Sequence, residues 1–142
     1  MKSVKEIVSA RPLRFVKSSS KIIDIVKYMS EENIGLVPVL EEDGKLIGVF
    51  SERDLVRRVI AKGLSLEETS VNEVMSKNLT LSDINESYEA CLKKMKEANI
   101  RHILIIDDKK LVGLVSVRDL LEIDITAQKE TIEVLNNYIY SA

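Results

Sequence analysis

The sequence predicts an α+β fold, α/β-like in its alternation of strands and helices, built from two tandem copies of one strand-helix-strand-strand-helix unit. The main observation is an internal repeat, because the chain matches itself when it is shifted by about 65 to 67 residues. In addition, each copy carries an apolar stripe with helical spacing. Each stripe is followed by two short apolar runs with a turn between them, the pattern of a β-hairpin.

Matching residues occur in the same order in both copies, which places the first repeat at residues 1–65 and the second at 66–123. Residues 124–142 form a C-terminal tail that we expect to be helical. The matched pairs are Val4/Val71, Glu6/Glu73, Met29/Met95, Asn33/Asn99, Ile34/Ile100, Lys45/Lys110, Leu46/Leu111, Gly48/Gly113, Ser51/Ser116, Arg53/Arg118, Asp54/Asp119 and Leu55/Leu120.

The first helix of each repeat is predicted from apolar residues at positions i, i+3, i+4 and i+7, which lie on one face of a helix. This face consists of Ile22, Ile25, Val26 and Met29 in the first copy, and of Tyr88, Cys91, Leu92 and Met95 in the second. The spacing favours a core role for Cys91 and both methionines over a redox role.

A hairpin is expected after each of these helices. In the first copy the apolar runs Leu36–Leu40 and Lys45–Phe50 flank an acidic turn that ends in Asp43-Gly44, a typical hairpin signal. The second copy has Asp107, Asp108 and Lys109 at the turn.

Ser51 and Ser116 are predicted to open the second helix of each repeat. In the first copy Leu55, Val56, Val59 and Ile60 are expected on one face, with Gly63 as the helix stop. The tail carries a helix-compatible apolar set that we expect to pack on its own domain or on a second subunit: Ile132, Val134, Leu135, Tyr138 and Ile139.

The composition excludes several classes of function. The formal charge of −2 gives no overall basic field for a nucleic acid. The apolar runs are far shorter than the roughly 20 residues of a membrane span, and the N-terminus lacks the apolar core of a signal peptide, so we expect a cytoplasmic protein. Cys91 is the only cysteine and His102 the only histidine, which rules out an internal disulfide and a Cys/His metal site within one chain.

One repeat of about 65 residues is too small to bury a substantial core alone, and its sheet would leave one face bare. We therefore expect the two copies to pair around a pseudo-twofold axis and to share a core. Such a pairing would create two equivalent clefts, which are natural ligand sites.

The strongest local signal is a seven-residue motif that runs from Gly48 to Asp54 and again from Gly113 to Asp119. Glycine, two apolar residues and Ser-x-Arg-Asp stand at a strand-to-helix junction. The glycine, which has no Cβ, permits close approach of a ligand, and the helix start offers N–H groups to a phosphate. The aspartate can accept hydrogen bonds from both hydroxyls of a ribose. Ser-x-x-Asp also resembles a capping box, and the two roles can coexist.

These motifs resemble the cystathionine β-synthase-type (CBS) domain, together with the strand starts Ile34–Val39 and Ile100–Ile103. The resemblance covers residues 1 to about 123. In that family two tandem repeats form a module whose clefts bind AMP, ADP, ATP, S-adenosylmethionine or NAD-like ligands, and two modules commonly pair into a disc-like homodimer. The resemblance thus implies an adenine-nucleotide-binding, energy-sensing module.

By resemblance, Asp54 and Asp119 hold the ribose rings, Ser51 and Ser116 approach the first phosphate, and the arginine of each motif neutralises phosphate charge. The opposite repeat is expected to complete each cleft. The motif arginines are Arg53 and Arg118; the residues completing the Asp119 cleft are Lys2, Ser3, Ile7, Ile34 and Gly35; those completing the Asp54 cleft are Thr69, Ser70, Val74, Ile100, Arg101 and His102.

The two clefts are not expected to be chemically equal. Arg101 and His102 stand where the first copy has Gly35 and Leu36. Arg101 either adds affinity for phosphate or blocks the base. His102 is interpreted as a packed or hydrogen-bonded histidine rather than a pH switch.

The sequence contains no catalytic triad, no phosphate-binding lysine loop and no second histidine, so we expect no enzyme activity and no required cofactor. Three functions remain open. The first is a regulatory adenosine-ligand sensor acting on a separate, unknown partner protein. The others are a dimerisation adaptor with vestigial clefts and, least favoured by the charge, a nucleic-acid binder.

Overall fold

The structure, a computed structural model, describes residues 3–140, with side chains as far as residue 137. The chain divides into two compact units. Leu13–Leu79 form the first-repeat unit, and the described residues up to Pro12 join those from Thr80 onward in the second-repeat unit. The N-terminal segment of the chain is therefore built into the unit of the second repeat.

The first-repeat unit follows the predicted order of strand, helix, two strands and helix. Its elements are β1 (Val16–Lys17), α2 (Ile22–Glu32), β2 (Leu36–Leu40), β3 (Leu46–Ser51), the short helix α3 (Glu52–Asp54), a π-helix (Leu55–Ile60) and a 3₁₀ turn (Val71–Glu73). The sheet has the order β1-β2-β3, in which β2 is parallel to β1 and antiparallel to β3.

The second-repeat unit repeats this arrangement and adds a helix in front. Its elements are α1 (Val4–Ser9), β4 (Leu81–Asp83), α4 (Tyr88–Ala98), β5 (His102–Asp107), β6 (Lys110–Ser116) and α5 (Val117–Tyr140). The sheet has the order β4-β5-β6, again parallel and then antiparallel. Asp108 and Lys109 turn the hairpin with φ angles of 49° and 65°.

Helices α2 and α4 have the predicted apolar faces. Ile22, Ile25 and Met29 are buried on α2, as are Cys91 and Met95 on α4. Both helices end at an asparagine in the left-handed conformation, Asn33 (φ 54°) and Asn99 (φ 53°). Asparagine is one of the few residues that adopts this C-terminal conformation readily, which gives the repeated asparagine a structural reason.

The helix after β3 differs from the prediction. A π-helix with a wider turn replaces α-helix from Leu55 to Ile60, so only Val59 is buried there, while Val56 and Ile60 are 60% and 55% exposed. Of the four residues predicted on one apolar face, Val59 is buried and Leu55 packs against the core, whereas Val56 and Ile60 are exposed. In the second repeat, α5 continues without a break through the predicted tail to Tyr140.

Each unit has its own cluster of buried apolar side chains, and each cluster contains residues from both sequence repeats. Val4, Ile7 and Val8 of α1 pack in the second-repeat unit. Val71 and Val74, which follow the first repeat in sequence, pack in the first-repeat unit. Each unit thus takes one segment of its core from the other sequence repeat, while the pairing of the two copies around one shared core stays a prediction.

Candidate functional site

The two Gly-x-x-Ser-x-x-Asp motifs lie where predicted, at the junctions β3–α3 and β6–α5. At the first junction the Ser51 N–H donates to Asp54 Oδ2 at 3.0 Å, and the Asp54 N–H donates to Ser51 Oγ at 3.1 Å. At the second junction the corresponding Ser116–Asp119 distances are 2.8 and 3.1 Å. The capping-box alternative is therefore present at both sites.

A further backbone bond ties each junction to the strand start beside it. The Glu52 N–H donates to the Gly35 carbonyl at 3.0 Å, and the Val117 N–H donates to the Arg101 carbonyl at 2.9 Å. Several of the N–H groups that we expected to be free for a phosphate are consequently already bonded. Any ligand at these junctions has to rely more on side chains than the sequence suggested.

The Asp54 carboxylate is held mainly by the serine of its own motif. Both the Ser51 N–H and the Ser51 hydroxyl donate to Asp54 Oδ2, at 3.0 and 3.1 Å. Arg58 Nε lies 3.5 Å from Asp54 Oδ1, an ion pair too long to count as a hydrogen bond here. The guanidinium of Arg58 also donates through Nη1 to the Met75 carbonyl at 3.0 Å.

The Asp119 carboxylate has a stronger partner, which the sequence did not reveal. Arg11, in the loop after α1, donates from Nη1 to Asp119 Oδ2 at 2.9 Å and from Nη2 to Oδ1 at 2.5 Å. Burial acts to raise the pKa of Asp119, but the bonds from Arg11 and Ser116 outweigh it, so the pKa lies below its usual value. Asp119 is therefore a fully ionised, paired carboxylate at neutral pH.

His102 lies at the start of β5, opposite Ser116 in the hairpin register. Burial lowers the pKa of His102, the Asp119 charge acts to raise it and the Arg101 charge to lower it, with a net shift downward. The downward shift favours the neutral imidazole at pH 7, while the role of His102 as a packed histidine or a ligand contact stays a prediction. Arg101 is exposed.

The other predicted residues of the first-repeat unit have mixed surroundings. Thr69 and Val74 are buried, at 8% and 6% exposure, and Ser70 accepts a hydrogen bond from Lys21 at 3.2 Å. Ile34 and Gly35 line an open pocket of about 330 Å³ at the C-terminal end of α2. Val26, Met29, Ser30, Asn33, Glu52 and Leu55 complete its lining.

In the second-repeat unit, Ser3 caps α1 by accepting from the Glu6 N–H at 3.1 Å, and Ile7 is buried in the core. Ile100 is half-buried. Lys2 lies outside the described residues. Arg53 and Arg118, one in each unit, are exposed, as a phosphate contact requires. The assignment of residues to the cleft of the opposite repeat stays a prediction.

Two kinds of feature are absent from the described part of the chain. It contains no group of three or more His, Cys, Asp or Glu side chains placed to hold a metal ion. No helix within residues 3–140 combines the length and the apolar character that a membrane crossing requires.

Comparison with known proteins confirms the resemblance. The family model of the CBS domain matches residues 4–61 and again residues 71–125, so the chain belongs to the CBS domain family as a domain pair. The α+β fold with two tandem CBS repeats, each a three-stranded sheet with helices, is the fold of this family.

Two curated relatives place the chain among CBS proteins. It is 34% identical over 120 residues to the CBS domain-containing protein YhcV of Bacillus subtilis, with 84% of each chain covered. It is 31% identical over 122 residues to the mitochondrial CBS domain-containing protein CBSX3 of Arabidopsis thaliana, covering 83% of this chain and 59% of that protein. The chain thus spans less than two thirds of the plant relative.

Two solved structures share the fold. A protein with CBS domains from Burkholderia ambifaria superposes with a TM-score of 0.79 at 30% identity, covering 89% of this chain and 96% of that one. The CBS domain pair of protein MJ0100, in complex with 5'-methylthioadenosine and S-adenosyl-L-methionine, has a TM-score of 0.76 at 25% identity, covering 88% and 97%.

CBS pairs are generally regulatory, ligand-binding modules without catalytic activity of their own. One relative carries the name of an enzyme, the L-aspartate semialdehyde sulfurtransferase of Methanocaldococcus jannaschii. The chain is 30% identical to it over 118 residues but covers only 22% of its length.

Proposed function

We propose that this chain is a regulatory module that binds an adenosine-containing ligand, in the first place AMP, ADP or ATP, and signals its level to a separate protein. S-adenosylmethionine and NAD are the other candidate ligands. The observation that carries the proposal is the repeated pair of largely buried carboxylates, Asp54 and Asp119, each fixed at a strand-to-helix junction by the serine three residues before it.

The chemistry of each junction suits a nucleoside. An ionised carboxylate accepts hydrogen bonds from the two hydroxyls of a ribose. The exposed arginine beside it, Arg53 or Arg118, supplies positive charge for a phosphate. The adenosine ligands bound by the MJ0100 domain pair support this ligand class for the present chain.

The first test is a thermal-shift screen of purified, nucleotide-stripped protein against AMP, ADP, ATP, S-adenosylmethionine, 5'-methylthioadenosine and NAD, with GTP as the control for base specificity. A ligand at 100-fold over its Kd stabilises the folded state by about 2.7 kcal/mol. A rise in Tm with an adenosine ligand but not with GTP is expected. No rise with any of them would reject the proposal.

Substitution of the two aspartates separates ligand binding from helix capping. Because charge-assisted hydrogen bonds contribute roughly 1.5–3 kcal/mol each, Asp54→Ala or Asp119→Ala should weaken its own site by about 10- to 150-fold. Ser87→Ala is the matched control, since Ser87 Oγ caps α4 by accepting from the Ala90 N–H at 3.1 Å and belongs to no predicted site. Equal ligand affinity in all three variants would leave capping as the only role.

A homodimer is the second part of the proposal, and α5 provides the surface for it. Four apolar residues of α5 are about half exposed: Leu121 (47%), Ile125 (50%), Ile132 (58%) and Leu135 (54%). With the exposed Gln128 they are spaced by four, three, four and three residues, which is the a/d repeat of a coiled coil.

This stripe is distinct from the face of α5 that packs on its own unit. Leu120 and Ile123 are buried in the core, and Asp124 accepts a hydrogen bond from the Tyr88 hydroxyl at 3.0 Å. Since Ile at a and Leu at d favour two-stranded packing, we assign the stripe to a second copy of this chain. If nucleotides fail to bind, this surface supports the adaptor function instead.

A further inference from the structure

Arg11 and Asp119 form a two-point ion pair across 108 residues of sequence. The guanidinium donates to both carboxylate oxygens, at 2.9 and 2.5 Å. Asp119 is only 13% exposed, while Arg11 is 42% exposed. The carboxylate is thus held in place, and the arginine has room to move away from it.

The pair competes with a ribose for the same atoms. A carboxylate oxygen has about two acceptor positions. Asp119 Oδ2 already accepts from Arg11 Nη1 and from the Ser116 N–H at 2.8 Å, so both of its positions are filled. Two ribose hydroxyls, one to each oxygen, can bind only when the guanidinium withdraws from at least Oδ2.

At the other junction Ser51 alone fills both positions of Asp54 Oδ2, through its N–H at 3.0 Å and its hydroxyl at 3.1 Å. A hydroxyl can rotate towards another acceptor without breaking an ion pair. Asp54 Oδ1 has only the 3.5 Å ion pair with Arg58, whose Nη1 is committed to the Met75 carbonyl. At the repeat shift that matches Val4 with Val71, the counterpart of Arg11 is Asn78, which carries no charge. The two junctions therefore differ in how the carboxylate is paired: Asp119 has a two-point contact with Arg11, and Asp54 has one longer ion pair with Arg58.

We propose that Arg11 makes the Asp119 site selective for phosphorylated adenosine ligands over uncharged nucleosides. This inference rests on the proposed function. A ribose that takes over the carboxylate breaks the ion pair, and the released guanidinium needs a new anion. A nucleotide supplies its phosphate, whereas adenosine or 5'-methylthioadenosine supplies nothing. When a nucleotide binds, Arg11 thus exchanges the Asp119 carboxylate for the phosphate of the ligand.

Calorimetric titration of the 142-residue chain with AMP, adenosine and 5'-methylthioadenosine tests this inference. The Asp54→Ala background confines binding to the Asp119 site. In that background we expect Arg11→Ala to lower the ratio of AMP affinity to adenosine affinity by about tenfold or more. The reason is that AMP loses the charge-assisted pair between its phosphate and Arg11, which adenosine never makes. Arg11→Lys, which keeps the charge but not the two-point geometry, should give an intermediate ratio.

Arg14→Ala is the matched control, since it removes the same charge from the ion pair between Arg14 Nε and Glu32 Oε2 (3.1 Å) in the other unit. Its ratio should equal that of the background protein. A second readout is the pKa of Asp119, measured by carbon NMR without ligand, which should rise in Arg11→Ala and stay unchanged in Arg14→Ala.

The outcomes distinguish a failure of this inference from a failure of the proposed function. If AMP binds and Arg11→Ala leaves the ratio of affinities unchanged, the inference is wrong while the proposed function stands. If another adenosine ligand binds but neither AMP nor adenosine does, the inference is likewise wrong while the proposed function stands. If no adenosine ligand binds at all, the proposed function fails and the inference with it.

Discussion

The side chain of Val8 on α1 lies directly against Gly113 on β6. A Cβ added at Gly113 would stand 2.8 Å from Val8 Cγ1 and 2.9 Å from Cγ2, closer than atoms tolerate. The same relationship occurs in the other unit, where a Cβ at Gly48 would meet the Met75 side chain. The repeated glycine thus admits the leading segment onto the sheet.

We expect Gly113→Ala to reduce the free energy of unfolding by about 1–3 kcal/mol, the usual effect of overfilling a packed contact. The β-branched Val8 has few alternative rotamers with which to yield. Urea unfolding at neutral pH measures the change. Gly35→Ala is the control, because its Cβ would lie 3.5 Å from the nearest atom, an ordinary contact with the Glu52 side chain.

A double variant tests whether Val8 is the cause. If Val8→Ala removes the clash, the loss caused by Gly113→Ala should be smaller in the Val8→Ala background than in the wild type, a coupling measurable by a double-mutant cycle. Strict additivity of the two changes would show that the glycine matters for another reason.

The parts of the fold that could be predicted are those in which a residue type has a local role. Asn33 and Asn99 end helices in the left-handed conformation, and Ser51 and Asp54 cap a helix, so each recurs at its place in both repeats. The hairpins follow from short apolar runs and turn residues for the same reason.

The parts that could not be predicted depend on distant contacts or on small shifts of the backbone. The resemblance places Ser3 and Ile7 near Asp119, but nothing in the sequence around Arg11 indicates that its guanidinium pairs with a carboxylate 108 residues away. The π-helix from Leu55 to Ile60 has a wider turn than an α-helix and no sequence signature, so the α-helical spacing of the apolar residues does not predict it.

The single histidine gives a direct measure of the electrostatics at the β6–α5 junction. Because burial is the largest influence, we expect His102 to titrate below 6.5 in the ligand-free protein. Asp119→Asn removes a charge that raises this pKa and should lower it further, whereas Arg101→Ala should raise it. Proton NMR follows one unambiguous imidazole signal; a pKa unchanged in both variants would contradict the described surroundings of His102.

Acidification should weaken the fold through Asp119. Its pKa is lower in the folded chain than the value of 3.8 usual for the unfolded one, so the ionised form stabilises the fold above that value. This stabilisation, about 1 kcal/mol for a partly exposed pair, is lost as the pH falls through the folded-state pKa. Urea unfolding between pH 7 and pH 2 should show a shallower decline in Asp119→Asn than in the wild type.

Glu86 contributes to the acid decline in the same direction, because the Asp83 N–H and Lys94 lower its pKa. Its share should remain in Asp119→Asn, which leaves the Glu86 contacts intact. Identical pH profiles for the wild type and Asp119→Asn would mean that the Arg11 pair adds nothing to stability.

The stripe on α5 predicts an oligomer that one charge disrupts. The wild type should sediment at about twice the 16.0 kDa mass of the chain. Leu135→Asp places a charge in the apolar stripe and should shift the protein to monomer at micromolar concentration, because a buried unpaired charge is strongly unfavourable. Val134→Asp is the matched control: Val134 is even more exposed, at 66%, but neighbouring residues lie about 100° apart on a helix, so it points away from the stripe. If both variants are monomers, α5 has unfolded, and circular dichroism would detect the loss of helix. If the wild type is itself a monomer, the stripe does not bind a second copy of this chain.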